Sequence, residues 1–283
     1  MLKSNKKGEI VRYIFIFSLI LNQSCNTDSV SYPSFQGSQL DLSFQKSDQI
    51  LLLFPVGNYN TDTLAALLST YDQAYELATE LSGREPDPSH LDGDRLPLAL
   101  VPSTCGSGCG RLGRKGIEIT EEKFRRIYDQ FVKEDKYDHL FFYELGRNFW
   151  FYEPCDFKLQ EMDDIRTGFA VFFRDILVSE LKMKVAPING KPYLEYMQEK
   201  NERWNKMKKE WSQSNDPDEF ENLRGKYFPN GPLFWSTLWW ERYQMYGKES
   251  IQKTLQDLQQ DAPRSESEWL EFFTENSRKK AAR

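Results

Sequence analysis

The chain has 283 residues, 39% of them hydrophobic, and its 20 Phe, 14 Tyr and 7 Trp supply enough apolar surface for one large core or two small ones. A disordered protein is excluded on that ground. Acidic side chains outnumber basic ones by 43 to 37, for a net charge of −6, so a nucleic-acid footprint is excluded as well.

In chain order, the first feature is a short basic stretch, Lys3, Lys6, Lys7 and Arg12, followed by the apolar run "YIFIFSLIL" from Tyr13 to Leu21. That profile is expected of a signal peptide over 1–24, since nine apolar residues are too few to cross a bilayer that needs about 20 helical residues. "LNQSC" resembles a relaxed bacterial lipoprotein box, with Leu21 four residues before Cys25 and small Ser24 directly before it. The resemblance implies that Cys25 is lipidated (palmitate among its acyl chains) and that the mature chain is an extracytoplasmic, membrane-anchored lipoprotein of the bacterial cell envelope. The competing reading is a secreted protein in which Cys25 is incidental. Residues 1–24 carry four bases and one acid, so their removal takes the charge from −6 to −9 and leaves the lipid as the means of membrane attachment. Residues 25–48, rich in Ser, Gln and Gly, are expected to be a flexible tether. Of the remaining cysteines, Cys105, Cys109 and Cys155, two can pair outside the cytoplasm.

A strand is expected at 49–56, "QILLLFPV", stopped by Gly57 and Asn58. Leu64, Leu67, Leu68, Tyr71, Tyr75 and Ala78 then follow a helical spacing, with Asn60 or Thr61 as the cap and Gly83 just past the end. "LPLALV" reads as a second strand, and "TCGSGCGRLGRKGIEIT" as a glycine-rich turn into a third. Thr120 caps an amphipathic helix that buries Phe124, Ile127, Tyr128 and Phe131. Asp138 starts another, "HLFFYELGRNFWFY", expected to run until Pro154. "DDIRTGFAVFFRDILVSELKM" is a strongly apolar helix, and from Tyr193 onward every segment looks helical, with a capping box at Ser265 and Glu268. The expected fold is α+β, with a small mixed sheet over 49–190 and an all-helical C-terminal portion, 191–283, packed on it.

Two motifs carry a second resemblance. "YELGRNFWF" is similar to the HExxH helix of zincin metallopeptidases, and "RTGFA", 20 residues further on, is similar to the "NEGFA" helix that supplies the third zinc ligand in the gluzincin branch. In an HExxH helix, positions i and i+4 share one face, so two imidazoles meet one ion while the adjacent Glu handles a water proton. The resemblance places Tyr143 and Arg147 at the two histidine positions, Thr167 at the glutamate ligand and Glu144 at the base. A phenol, a guanidinium that stays cationic and a hydroxyl are not zinc ligands at neutral pH. The resemblance therefore implies a zincin-like fold with its metal lost, no cofactor, and a catalytic remnant in Glu144, for which an ion pair with Arg147 is the structural reading.

His139 lies four residues before Tyr143, and a metal site joining it to Asp163 or Asp164 is conceivable; a polar helix-start residue is the plainer reading. The glycines of "GRLGRKG", including Gly110, Gly113 and Gly116, lack the Gly-Lys-Ser/Thr ending of a phosphate loop and are read as turn geometry. Under the zincin resemblance they border the cleft, beside an edge strand on which peptides pair. The aromatic clusters "NFWFY" and "LFWSTLWWERYQMY" are read as core. The expected function is a lipid-anchored pseudo-metallopeptidase whose inherited cleft binds a peptide or partner protein. The alternatives are an active hydrolase with Glu144 as general base, and a structural envelope lipoprotein.

Overall fold

The computed structural model describes residues 29–57, 59–88, 93–151, 159–214, 219–261 and 263–281. The expected signal peptide, Cys25, His90 and Cys155 lie outside them.

The fold is α+β. Six strands, β1 (Ser29–Pro33), β2 (Gln39–Lys46), β3 (Ile50–Phe54), β4 (Leu96–Val101), β5 (Gly108–Gly110) and β6 (Ile117–Thr120), form one sheet in the order β1-β2-β3-β4-β6-β5. Strands β3, β4 and β6 are parallel, and β5 runs antiparallel to β6 at the edge. Alternation divides the central strands between two faces. Ile50, Leu52, Leu96, Leu98, Leu100, Ile117 and Ile119 join the main core with the helices, while Leu51, Leu53, Ala99 and Val101 join a smaller core on the far side. Burial on both faces is why β3 and β4 read as unbroken apolar runs.

The far face corrects the expectation of a tether over 25–48 for its described part, 29–48. From Ser29 onward the segment is a hairpin, with Val30 opposite Leu42 and Tyr32 opposite Leu40. Val30 and Tyr32, then Leu40, Leu42 and Phe44, alternate with polar residues, a period-two pattern sufficient to bury one side of a ribbon. The hairpin also reaches across the sheet to the fully buried Glu118 on β6. That carboxylate accepts from Tyr32 Oη (3.1 Å), Phe35 N (2.5 Å) and Thr104 Oγ1 (2.7 Å), so its charge is met by three donors.

On the other face lie α1 (Thr61–Ser82), α2 (Glu121–Glu134), α3 (Leu140–Asn148) and α4 (Leu159–Glu180), followed by α5 (Tyr193–Gln213), α6 (Glu219–Tyr227), α7 (Gly231–Tyr246), α8 (Lys248–Gln260) and α9 (Glu266–Ala281). Asn60 caps α1 by accepting from Thr63 N, and Gly83 ends it with φ 73°. Ser265 accepts from Glu268 N at the start of α9, as the capping box requires. Helix α6 buries only Leu223 fully among its apolar residues. Helix α7 places Phe234, Trp235, Leu238, Trp239 and Trp240 in the core and is apolar around much of its circumference. A single core runs from Ile50 to Phe273, so the C-terminal helices are part of the same packed body.

Helices α4 and α5 are also joined by buried charge. Asp175 accepts from Arg174 Nε and Nη2 (2.9 and 2.7 Å) and from Lys200 Nζ (2.9 Å), with all three side chains nearly out of solvent. The two cations hold the Asp175 carboxyl below its usual range despite burial, while burial pulls Lys200 down.

Candidate functional site

Helix α3 carries the first motif. Asp138 starts it by accepting from Leu140 N (2.8 Å), and the helix stops at Asn148, short of the expected Pro154. Phe149 N turns back to Gly146 O and Trp150 N to Arg147 O (both 3.2 Å), while Gly113 N also reaches Arg147 O (3.3 Å). The final carbonyls are thus satisfied without another helical turn.

Tyr143 and Arg147 are half-buried on one face of α3, as their spacing requires. Thr167, also half-buried, lies on α4, three residues before Ala170. The two motifs touch through their small residues. A Cβ added to Gly146 would stand 2.8 Å from Phe173 Cβ and 3.0 Å from Ala170 Cα, so α3 and α4 approach closely at this point. Gly168 does the same for α4 against α7, where an added Cβ would meet Trp235 Cβ at 2.3 Å. Gly146 and Gly168 are therefore packing positions between helices.

Glu144 is only 4% exposed and points at the sheet edge. Arg111 N pairs with Gly116 O and Thr120 N with Ser107 O, so in the alternating antiparallel pattern the N–H groups of Gly108 and Gly110 turn away from β6. Gly110 N donates to Glu144 Oε2 (2.6 Å), so α3 occupies the outer side of β5 on which a peptide strand would pair. The contact tolerates no side chain on the strand, since an added Cβ at Gly110 would lie 2.3 Å from Glu144 O. Burial pushes the Glu144 carboxyl up from 4.5 to about 7, against the Gly110 hydrogen bond and the Arg147 charge, which both lower it.

The expected Glu144–Arg147 ion pair is absent among the described residues. The carboxylate is turned into β5, and the arginine acts on it only through its field. The described residues do not bring a metal-ligand set together at His139. Its ring is under the influence of Asp138, Arg174, Lys123 and Asp175, and burial lowers its pKa. Asp163 lies 11 residues from Arg174 along α4, about 16 Å, and contacts Arg166. Among the described residues no three His, Cys, Asp or Glu side chains are placed to hold a metal ion.

The glycine-rich loop is a fitted turn, with Gly113 at φ 66°. Fully buried Asn148 holds it to α3, its Nδ2 donating to Arg111 O (2.7 Å) and Gly116 O (3.0 Å). Sequence reasoning passed over Asn148, for which no local signal exists, because its partners lie more than 30 residues away. Cys105 and Cys109 form a disulfide that closes the turn before β5, which settles the pairing left open by the sequence for these two. The aromatic clusters are mostly core, with Trp150, Trp235 and Trp239 almost wholly buried and Tyr246 exposed at the end of the second.

Compared with known proteins, the chain matches no family model, no curated protein and no solved structure.

Proposed function

We propose that this chain is a zincin-like binding protein whose reaction centre has lost its metal, carried outside the cytoplasm on a lipid at Cys25. The observation that supports the reading is the close approach of Gly146 to Ala170, which packs the helix of "YELGR" against that of "RTGFA"; on the zincin reading a phenol, a guanidinium and a hydroxyl then stand at the ligand positions. The antiparallel edge strand on α3 supports it too. The disulfide between Cys105 and Cys109 supports an oxidising compartment. No helix among the described residues is long and apolar enough to cross a membrane. With β5 closed by Glu144, the partner is a peptide or protein that meets the half-buried face of Tyr143 and Arg147.

A second reading, hydrolysis with Glu144 as general base, draws on its pKa of about 7, which suits proton transfer at neutral pH. Its burial and its bond to Gly110 weigh against that role.

Metal analysis of residues 26–283 tests the first reading, with a Tyr143→His/Arg147→His/Thr167→Glu variant as the second arm. The natural sequence is expected to hold no stoichiometric zinc and the triple variant about one ion per chain. Stoichiometric zinc in the natural sequence refutes the lost centre, and no zinc in a folded triple variant refutes the placement of the three residues.

A further inference from the structure

The loop 111–116 forms one wall of a cleft of 320 Å³ that lies on the far side of the sheet from the main core, beside the N-terminal hairpin. Its size falls at the low end of the range for small-molecule sites, roughly 300 to 1,000 Å³. Tyr32, Pro33, Phe35 and Pro97 supply an apolar side, and Arg111 and Arg114 a cationic one.

The charge here runs against that of the chain. In a protein with 43 acids and 37 bases, Arg111, Arg114 and Lys115 fall within five residues. Lys115 is neutralised, its Nζ meeting Glu85 (3.2 Å) and Asp94 O (2.8 Å). Arg111 and Arg114 make no ion pair with any described residue, although Asp87 lines the same cleft. Both are exposed, and the Arg111 guanidinium stands 5.0 Å from the centre of the Phe35 ring. An arginine and a ring so placed can meet an anionic group and a flat body on one ligand.

The backbone beneath is held in advance. Asn148 ties down Arg111 O and Gly116 O, and Glu118 fixes the hairpin through Tyr32 Oη and Phe35 N. The backbone on both sides of the cleft therefore needs little ordering when a ligand arrives, and the cost that remains is that of fixing the two arginine side chains.

We propose that this cleft binds a small organic anion, a carboxylate or phosphate borne on a ring, with Arg111 and Arg114 holding the anionic group and Phe35 with Pro33 and Pro97 against the ring. Neither Tyr143 nor Arg147 lines the cleft, and the proposal does not depend on the zincin reading.

The test is calorimetric titration of residues 26–283 with phenyl phosphate, benzoate, inorganic phosphate and benzyl alcohol, each up to about 10 mM, which detects a Kd of about 1 mM. Phenyl phosphate or benzoate is expected to bind, and whichever binds more tightly identifies the anionic group. Arg111→Gln and Arg114→Gln should each weaken binding at least about tenfold. Lys133→Gln, the same charge change on exposed α2, should leave it unaltered. Unchanged thermal unfolding of the two arginine variants separates lost binding from lost fold. The proposal is overturned if neither ring-bearing anion binds, if benzyl alcohol or inorganic phosphate binds as tightly as they do, or if both arginine substitutions leave the affinity unchanged.

Discussion

Replacing Glu144 with Gln should make the protein more stable at alkaline pH, although it removes a charge from the centre of the most motif-like helix. The carboxyl is 4% exposed, and burial lifts it from 4.5 to about 7. Because the folded value lies above the unfolded one, the folded protein binds a proton more readily between those values. The stability this contributes is fully present below pH 4.5 and is lost as the pH rises through about 7. At about 1.36 kcal/mol per decade of proton affinity, the ionised side chain costs about 3 kcal/mol above pH 7. Glutamine has the shape of the protonated acid, and its amide oxygen can still accept from Gly110 N. The two proteins should therefore differ little near pH 4.5, and the variant should gain about 3 kcal/mol by pH 8, or about 6 to 12 °C in Tm. Urea unfolding of residues 26–283 across that range measures the difference, in which all other titrating groups cancel. A gap that does not change with pH, or a variant less stable at pH 8, would show that Glu144 is not paying a burial cost at the strand edge.

Gly110→Ala should destabilise by about 2 to 3 kcal/mol, because the new methyl falls 2.3 Å from a backbone oxygen of α3; an unchanged urea midpoint would mean that β5 does not lie on Glu144. Lys200→Met should cost about 3 to 5 kcal/mol by leaving Asp175 with one cation instead of two, and a loss under about 1 kcal/mol in urea unfolding would contradict the buried cluster. Palmitate labelling of the full-length chain should vanish in Cys25→Ala, and label that persists would remove the assigned anchor.

Where the sequence was legible, one physical signal dominated. Strands β3 and β4 and helix α1 could be read because their burial is continuous or strictly periodic and their ends carry Asn60, Gly83 or a turn. Gly146 and Gly168 sit at helix contacts that admit no side chain, which accounts for the small residues in both segments. The hairpin was passed over because serines and glutamines set the composition of 25–48, although Val30, Tyr32, Leu40, Leu42 and Phe44 keep a strand alternation. The Glu144–Arg147 pair was expected from spacing alone. The competing donor, Gly110 N, lies 34 residues away and is brought in by the sheet, which no local pattern reveals. The cleft beside Arg111 and Arg114 was hidden for the same reason, since its two sides come from opposite ends of the sheet.

The early start of the hairpin has a mechanical consequence. Among the described residues the first strand starts at Ser29, four positions after Cys25. If Cys25 carries an acyl chain, the leash between bilayer surface and folded body is at most about 14 Å long. An acidic body on so short a leash cannot retreat far from anionic headgroups, and lowering the ionic strength should tilt it rather than release it. The first strand would then act as a stub axle, fixing which side of the molecule faces outward.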